Sequence, residues 1–189
     1  MNVPAAVEVL DQLTGSYQPD PVHSRLGFAA RYAMVTTVHG WFDSFGGRVH
    51  LDSQDPRKCS VALTIDAASI RTNNPDRDAH LRSADFFDVE RYPSITFESS
   101  GVTPLADLRY RVTGDLTIKA VTRAVDLELT HQGDVTDPYG QFRLGFHGSG
   151  GLKRIDWGLT WNVALDAGGV VLSDHINLEF DLSLIKIGL

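Results

Sequence analysis

Residues 20–47 read DPVHSRLGFAARYAMVTTVHGWFDSFGG, and this stretch decides the fold. From Ser24 to Ala30 the even positions hold Ser24, Leu26, Phe28 and Ala30, while Arg25, Gly27 and Ala29 fall between them. One face is therefore apolar and the other polar or small. A period of two belongs to a half-buried strand, because successive side chains of extended backbone point to opposite faces. The same alternation recurs to the end of the chain. It selects Val61, Leu63 and Ile65, the run Ser94 to Glu98, and Tyr110, Val112, Gly114, Leu116 and Ile118. It then selects Val125, Leu127 and Leu129, next Phe142, Leu144 and Phe146, next Leu159, Trp161, Val163 and Leu165, and last Ile176 to Leu184. About eight strands follow from this count. Turn signals stand at Asp55-Pro56, Asp137 to Gly140, Gly148 to Gly151 and Gly168-Gly169. Short connections favour hairpin neighbours, hence one antiparallel sheet whose inner face is expected to enclose something.

One segment departs from the strand period. Asn73-Asn74-Pro75-Asp76-Arg77-Asp78 offers an Asn cap, proline at the first helical position and acidic residues at the positive end of a helix dipole. A short helix near residues 75–84 is predicted, followed by Asp85-Phe86-Phe87-Asp88 and the next strand. A sheet closed around one helical excursion is a barrel with a plug or lid.

The 189 residues suffice for one domain with a sizeable core, and 42% hydrophobic content is ordinary for a globular chain. Seventeen basic residues against 24 acidic ones give a formal charge of -7, which repels phosphate backbones, so nucleic acid is not an expected partner. Cys59 stands alone, which excludes an intrachain disulfide and a thiolate cluster within one chain. No window approaches the apolar length of a membrane span. The first residues lack the basic and apolar regions of an export signal, so a cytoplasmic location is expected. Residues 1–16 read as a leader, with a short helix over 3–13, and residues 17–189 as the barrel domain.

Four blocks carry a resemblance: DPVHSRLGFAARYAMVTTVHGWF, RDAHLRSADFFDVERYPSITFES, VTGDLTIKAVTRAVDLEL and SDHINLEFDLSL. Together, over roughly Tyr17 to Lys186, they resemble the YceI-like family, also called polyisoprenoid-binding-like proteins, and HLRSADFFDVERYP is the most diagnostic run. The resemblance implies an all-β fold with minor helix: a single antiparallel eight-stranded lipocalin-like β-barrel holding an isoprenoid or other long amphiphilic lipid. Many relatives are exported, whereas a cytoplasmic location is the expectation for this sequence. Relatives often dimerise, and Tyr139, Phe142 and Trp157 near glycine turns are expected to lie on an exposed patch, so a homodimer is expected.

Physics is consistent with such a cargo. An eight-stranded barrel has room for packed side chains or one small ligand. The inner positions include Gly114, Gly148, Ala30 and Ala67. Each buried methylene contributes about 0.8 kcal/mol and association costs about 4 to 15 kcal/mol, so a long chain is required. The expected apolar lining is Leu26, Phe28, Phe42, Leu63, Ile65, Leu81, Phe86, Phe87, Phe97, Val112, Leu116, Leu127, Phe146, Leu159, Trp161, Leu178 and Phe180. The expected polar contacts, at the head group or mouth, are His23, Arg31, His80 and Arg82. A plain hydrogen-bonding role for His23 beside Ser24, and a solvated salt-bridge face around His80 and Arg82, compete with that reading. The alternative function is an enzyme acting on a hydrophobic substrate by acid-base chemistry with His23, His80 and Asp88. The seven histidines are dispersed, no nucleotide or nucleophile motif appears, and no metal or cofactor is expected.

Overall fold

The computed structural model describes residues 13–166 and 168–188. The expected helix over 3–13 therefore lies, up to residue 12, outside the described residues. Among the described residues the strands are β1 (Gly15–Pro19), β2 (Arg25–Tyr32), β3 (Thr36–Phe42), β4 (Phe45–Leu51), β5 (Ser60–Asp66), β6 (Ile70–Arg71), β7 (Ser94–Pro104), β8 (Arg109–Ile118), β9 (Val121–Thr136), β10 (Phe142–Lys153) and β11 (Leu172–Ile187), with one α-helix, α1 (Pro75–Arg82).

The pairing turns these segments into eight. β1 pairs with β4 and β2 with β3, while β11 runs along both β1 and β2. Likewise β5 pairs with β4, and β6 with β3. Each of β1–β2, β3–β4 and β5–β6 is thus one strand with a bend. The result is a closed antiparallel meander of eight strands, sealed where β1 meets β11. Closure removes the unpaired edge that an open sheet would present.

The bend between β1 and β2 explains the DPVHS motif. Pro21 has no N–H for the ladder, so the chain turns there, with the Val22 N–H donating to Asp20 Oδ1 at 3.0 Å. The Ser24 hydroxyl then stands in for backbone. It accepts from the Ser183 N–H at 2.9 Å and donates to the Ser183 carbonyl at 3.2 Å.

Two expectations are corrected. Leu159 to Leu165 is not a strand, although it alternates; it is an irregular segment after a 3-10 turn (Arg154–Trp157). The buried Arg154 guanidinium takes the carbonyls of Leu159 and Trp161 (2.9 Å to the latter), which withdraws them from any ladder. Gly148 to Gly151 is not a turn but the interior of β10. A Cβ at Gly148 would come within 2.3 Å of Leu129 Cδ2, so the glycine makes room for a neighbour's side chain.

α1 starts as expected, with Asn74 Oδ1 accepting from the Arg77 N–H at 3.0 Å and proline in its first turn. It ends at Arg82, where the Ser83 N–H bonds the His80 carbonyl. A large core cluster, including Phe86, Ile95, Phe97, Leu116, Ile118 and Trp157, lies at the α1 end of the barrel. A second, of Tyr17, Val49, Leu144 and Leu184, lies at the other end. Trp157 is 3% exposed and Phe142 sits beneath Lys186, so only Tyr139 of the expected aromatic patch stands out in solvent.

Candidate functional site

The barrel encloses a cavity of about 910 Å³, within the range of small-molecule sites. Its walls come from the inward positions of the strands, such as Ile176, Leu178, Phe180, Leu182 and Leu184 of β11 and Val125, Leu127, Leu129 and His131 of β9. Leu81, Phe86 and Phe87 close it from α1 and the turn behind it. Every residue of the expected apolar lining, from Leu26 to Phe180, borders this cavity, Leu159 and Trp161 included.

Why the lumen stays open is a matter of where the rings lie. The Phe28 ring occupies the space a Cβ at Gly40 would need, and the Phe97 ring does the same at Gly114. Aromatic side chains are pressed against glycines of the adjacent strand. The inner glycines thus do not themselves supply free volume, as the sequence suggested for Gly114 and Gly148; they let large neighbours lie along the wall. At the α1 end the rings of His80 and Trp161 meet edge to face at 4.6 Å, with Phe86 5.1 Å from His80.

Of the four expected polar contacts, only His80 borders the cavity. Its Nε2 is 2.9 Å from Asp85 Oδ2. Arg82 lies two residues further on the same helix, where side chains cannot share a face. Its guanidinium donates to the carbonyls of Ala68 (2.8 Å) and Ile70 (3.0 Å). Arg31 is exposed and bonds the Met34 carbonyl at 2.6 Å, fastening the β2–β3 turn. His23 is on the outer wall, with its side chain 63% exposed and Nδ1 2.7 Å from Asp20 Oδ2.

Asp20 is the centre of that outer cluster. Arg143 donates to it at 2.6 Å and to Asp137 at 2.7 Å. Burial pushes the Asp20 carboxyl up, but the hydrogen bonds from Arg143, His23 and the Val22 N–H outweigh it and hold the group at about 2. The cluster ties the bend of β1–β2 to β10.

The acid-base trio is not assembled. His23 and Asp88 are absent from the lining, His23 is bonded to Asp20, and His80 is bonded to Asp85. Among the described residues, no group of three or more His, Cys, Asp or Glu is placed to hold a metal ion, and no helix is long and apolar enough to cross a membrane.

The lining extends beyond the expected residues, and two of its basic side chains, His131 and Arg154, lie outside that expectation. His131 follows Val125, Leu127 and Leu129 in the inward register of β9, and extending that alternation by one step would have found it. Arg154 carried no such signal.

A family model, the YceI-like domain, matches residues 17–184. The chain belongs to the YceI-like family. The matched span runs from the fully buried Tyr17 on β1 to Leu184 on β11, the two strands whose pairing closes the barrel. UPF0312 protein plu2095 of Photorhabdus laumondii is 39% identical over 135 residues, 71% of this chain and 70% of that protein. Among solved structures, Burkholderia cenocepacia BcnA superposes with a TM-score of 0.74 at 25% identity, over 87% of this chain and 98% of its own. A polyisoprenoid binding domain from Saccharophagus degradans, implicated in plant cell wall breakdown, has the same fold, with a TM-score of 0.69 at 19% identity over 90% of this chain and 98% of that domain.

Proposed function

We propose that this YceI-like protein is a non-catalytic carrier that holds one long isoprenoid or comparable lipid chain in its lumen. The observation that carries this reading is the lumen cavity of about 910 Å³, whose walls are apolar along the length of the barrel. Burial contributes about 0.8 kcal/mol per methylene, against an association cost of about 4 to 15 kcal/mol. Upwards of a dozen or so buried carbons are therefore needed before burial alone gives useful affinity. The Saccharophagus domain described as polyisoprenoid-binding shares the barrel and so supports the class of cargo.

The test is native mass spectrometry of the freshly purified protein, with organic extraction of whatever leaves it. A long-chain species near one per barrel is the expected result. Leu127→Trp, which puts an indole into the lumen opposite Val112, should abolish that species while leaving the barrel folded. A protein that stays empty when isoprenoid alcohols and quinones are supplied would overturn the reading.

A further inference from the structure

Among the described residues, the one buried side-chain nitrogen or oxygen without a hydrogen-bond partner is Nε2 of His131. The imidazole borders the lumen, pairs in register with Phe146 and lies 5.3 Å from that ring. A buried polar atom in this position has lost its hydration with nothing in exchange, and native structures rarely leave one so. Its register neighbours on the lining, Tyr110, Leu129 and Phe146, carry no charge, and the charged residue lining the same end, Asp52, is an anion that accepts from the Gln54 and Asp55 N–H groups. Lys186 lies over the rings of Tyr17 and Phe142, outside the lining.

The opposite end of the lumen differs. There Arg77 donates to the Thr72 hydroxyl and carbonyl, His80 is bonded to Asp85, and Arg154 serves backbone carbonyls and Asp174. Those groups are already engaged. Along β9, roughly 30 Å separates that end, at Val121, from His131.

We propose that His131 Nε2 anchors the head group of the bound chain, pairing with the terminal hydroxyl of an isoprenoid alcohol whose tail runs toward α1. The proposal rests on the carrier reading and adds to it the head-group chemistry and the direction of the chain, the reverse of a head group beside His80 and Arg82. A hydroxyl both donates and accepts, so it satisfies either tautomer of the ring. A diphosphate would bring charge into a region whose lining offers no cation. A pure hydrocarbon would leave the nitrogen unpaired.

The experiment compares geranylgeraniol, geranylgeranyl diphosphate and the hydrocarbon of the same skeleton, titrated into the wild type, His131→Leu and His131→Gln. The wild type should hold the alcohol roughly five- to tenfold more tightly than the hydrocarbon. His131→Leu should lose that preference yet keep its affinity for the hydrocarbon, which also shows that the variant is folded, and His131→Gln should retain part of it. In the wild type the ¹⁵N resonance of Nε2 should move with the alcohol and not with the hydrocarbon, a readout independent of any variant. Undiminished alcohol binding by His131→Leu, a still resonance, or tightest binding of the diphosphate overturns the anchor while leaving the carrier intact. If the wild type takes up none of the three probes, the carrier reading fails and the anchor fails with it.

Discussion

The ring of Phe97 on β7 lies across Gly114 on β8, so close that a Cβ at 114 would sit 2.5 Å from Cζ. The lumen therefore depends on a glycine. Gly114→Ala must drive the ring inward or push back the Glu98 carbonyl, which is equally near the added carbon. A loss of about 1 to 3 kcal/mol in urea unfolding is expected from such overpacking, together with weaker uptake of a long chain. Gly46→Ala, where an added Cβ meets nothing within 4 Å, is the control and should change stability by no more than about 0.5 kcal/mol.

Arg154 is 3% exposed, and its guanidinium holds the carbonyls of Leu159, Trp161, Leu172 and Ser173 as well as Asp174. Arg154→Leu would strand several buried acceptors at once. A cost of about 2 to 4 kcal/mol is expected, and hydrogen exchange should rise chiefly over residues 159–172. Exchange that rises evenly over the whole barrel would show that the guanidinium does not act locally.

Asp20 gives the barrel a pH dependence whose sign is fixed. Its carboxyl is held at about 2 in the fold against an ordinary 3.8, so the folded state favours the carboxylate. The stability it contributes is fully present above pH 3.8 and is lost as the pH falls toward 2. For this largely covered group the contribution is of the order of 1 to 2 kcal/mol. Asp20→Asn should therefore be less stable than the wild type at neutral pH, with the difference shrinking as both are unfolded at progressively lower pH. Parallel profiles would show that the Arg143 and His23 contacts carry no net energy.

The strands and the apolar lining were legible because a period of two survives wherever one face meets the lumen. Leu178 and Phe180 could be placed from that period alone. The errors have physical causes. Residues 159–165 alternate like a strand, but a strand is made by partners, and Arg154 takes two of their carbonyls from a position that no local pattern reveals. His23 looked functional because a histidine beside a serine serves a bend and a site equally well. Arg82 is near His80 in sequence, but two residues along a helix turn a side chain to another face. His131 is the opposite case: its residue type alone says little, and its inward register on β9 is the telling fact.

α1 is held by hydrogen bonds more than by apolar burial. Asp78 is its one buried residue, and Asp78 Oδ1 accepts from the Thr72 N–H at 2.8 Å and the Thr72 hydroxyl at 2.6 Å. Arg77 and Arg82 add bonds to Thr72, Ala68 and Ile70 from the same helix. Leu81, which borders the lumen, rides on this latch. Asp78→Ala leaves two donors of Thr72 unpaired and is expected to cost about 1 to 3 kcal/mol. Because the loss falls on one end of the lumen, the larger effect should be kinetic: release of a loaded chain to acceptor vesicles should quicken several-fold, while hydrogen exchange in β8 to β10 stays near that of the wild type. If release is unchanged while α1 exchanges freely, the chain leaves by the end that carries His131, and α1 is a fixed floor.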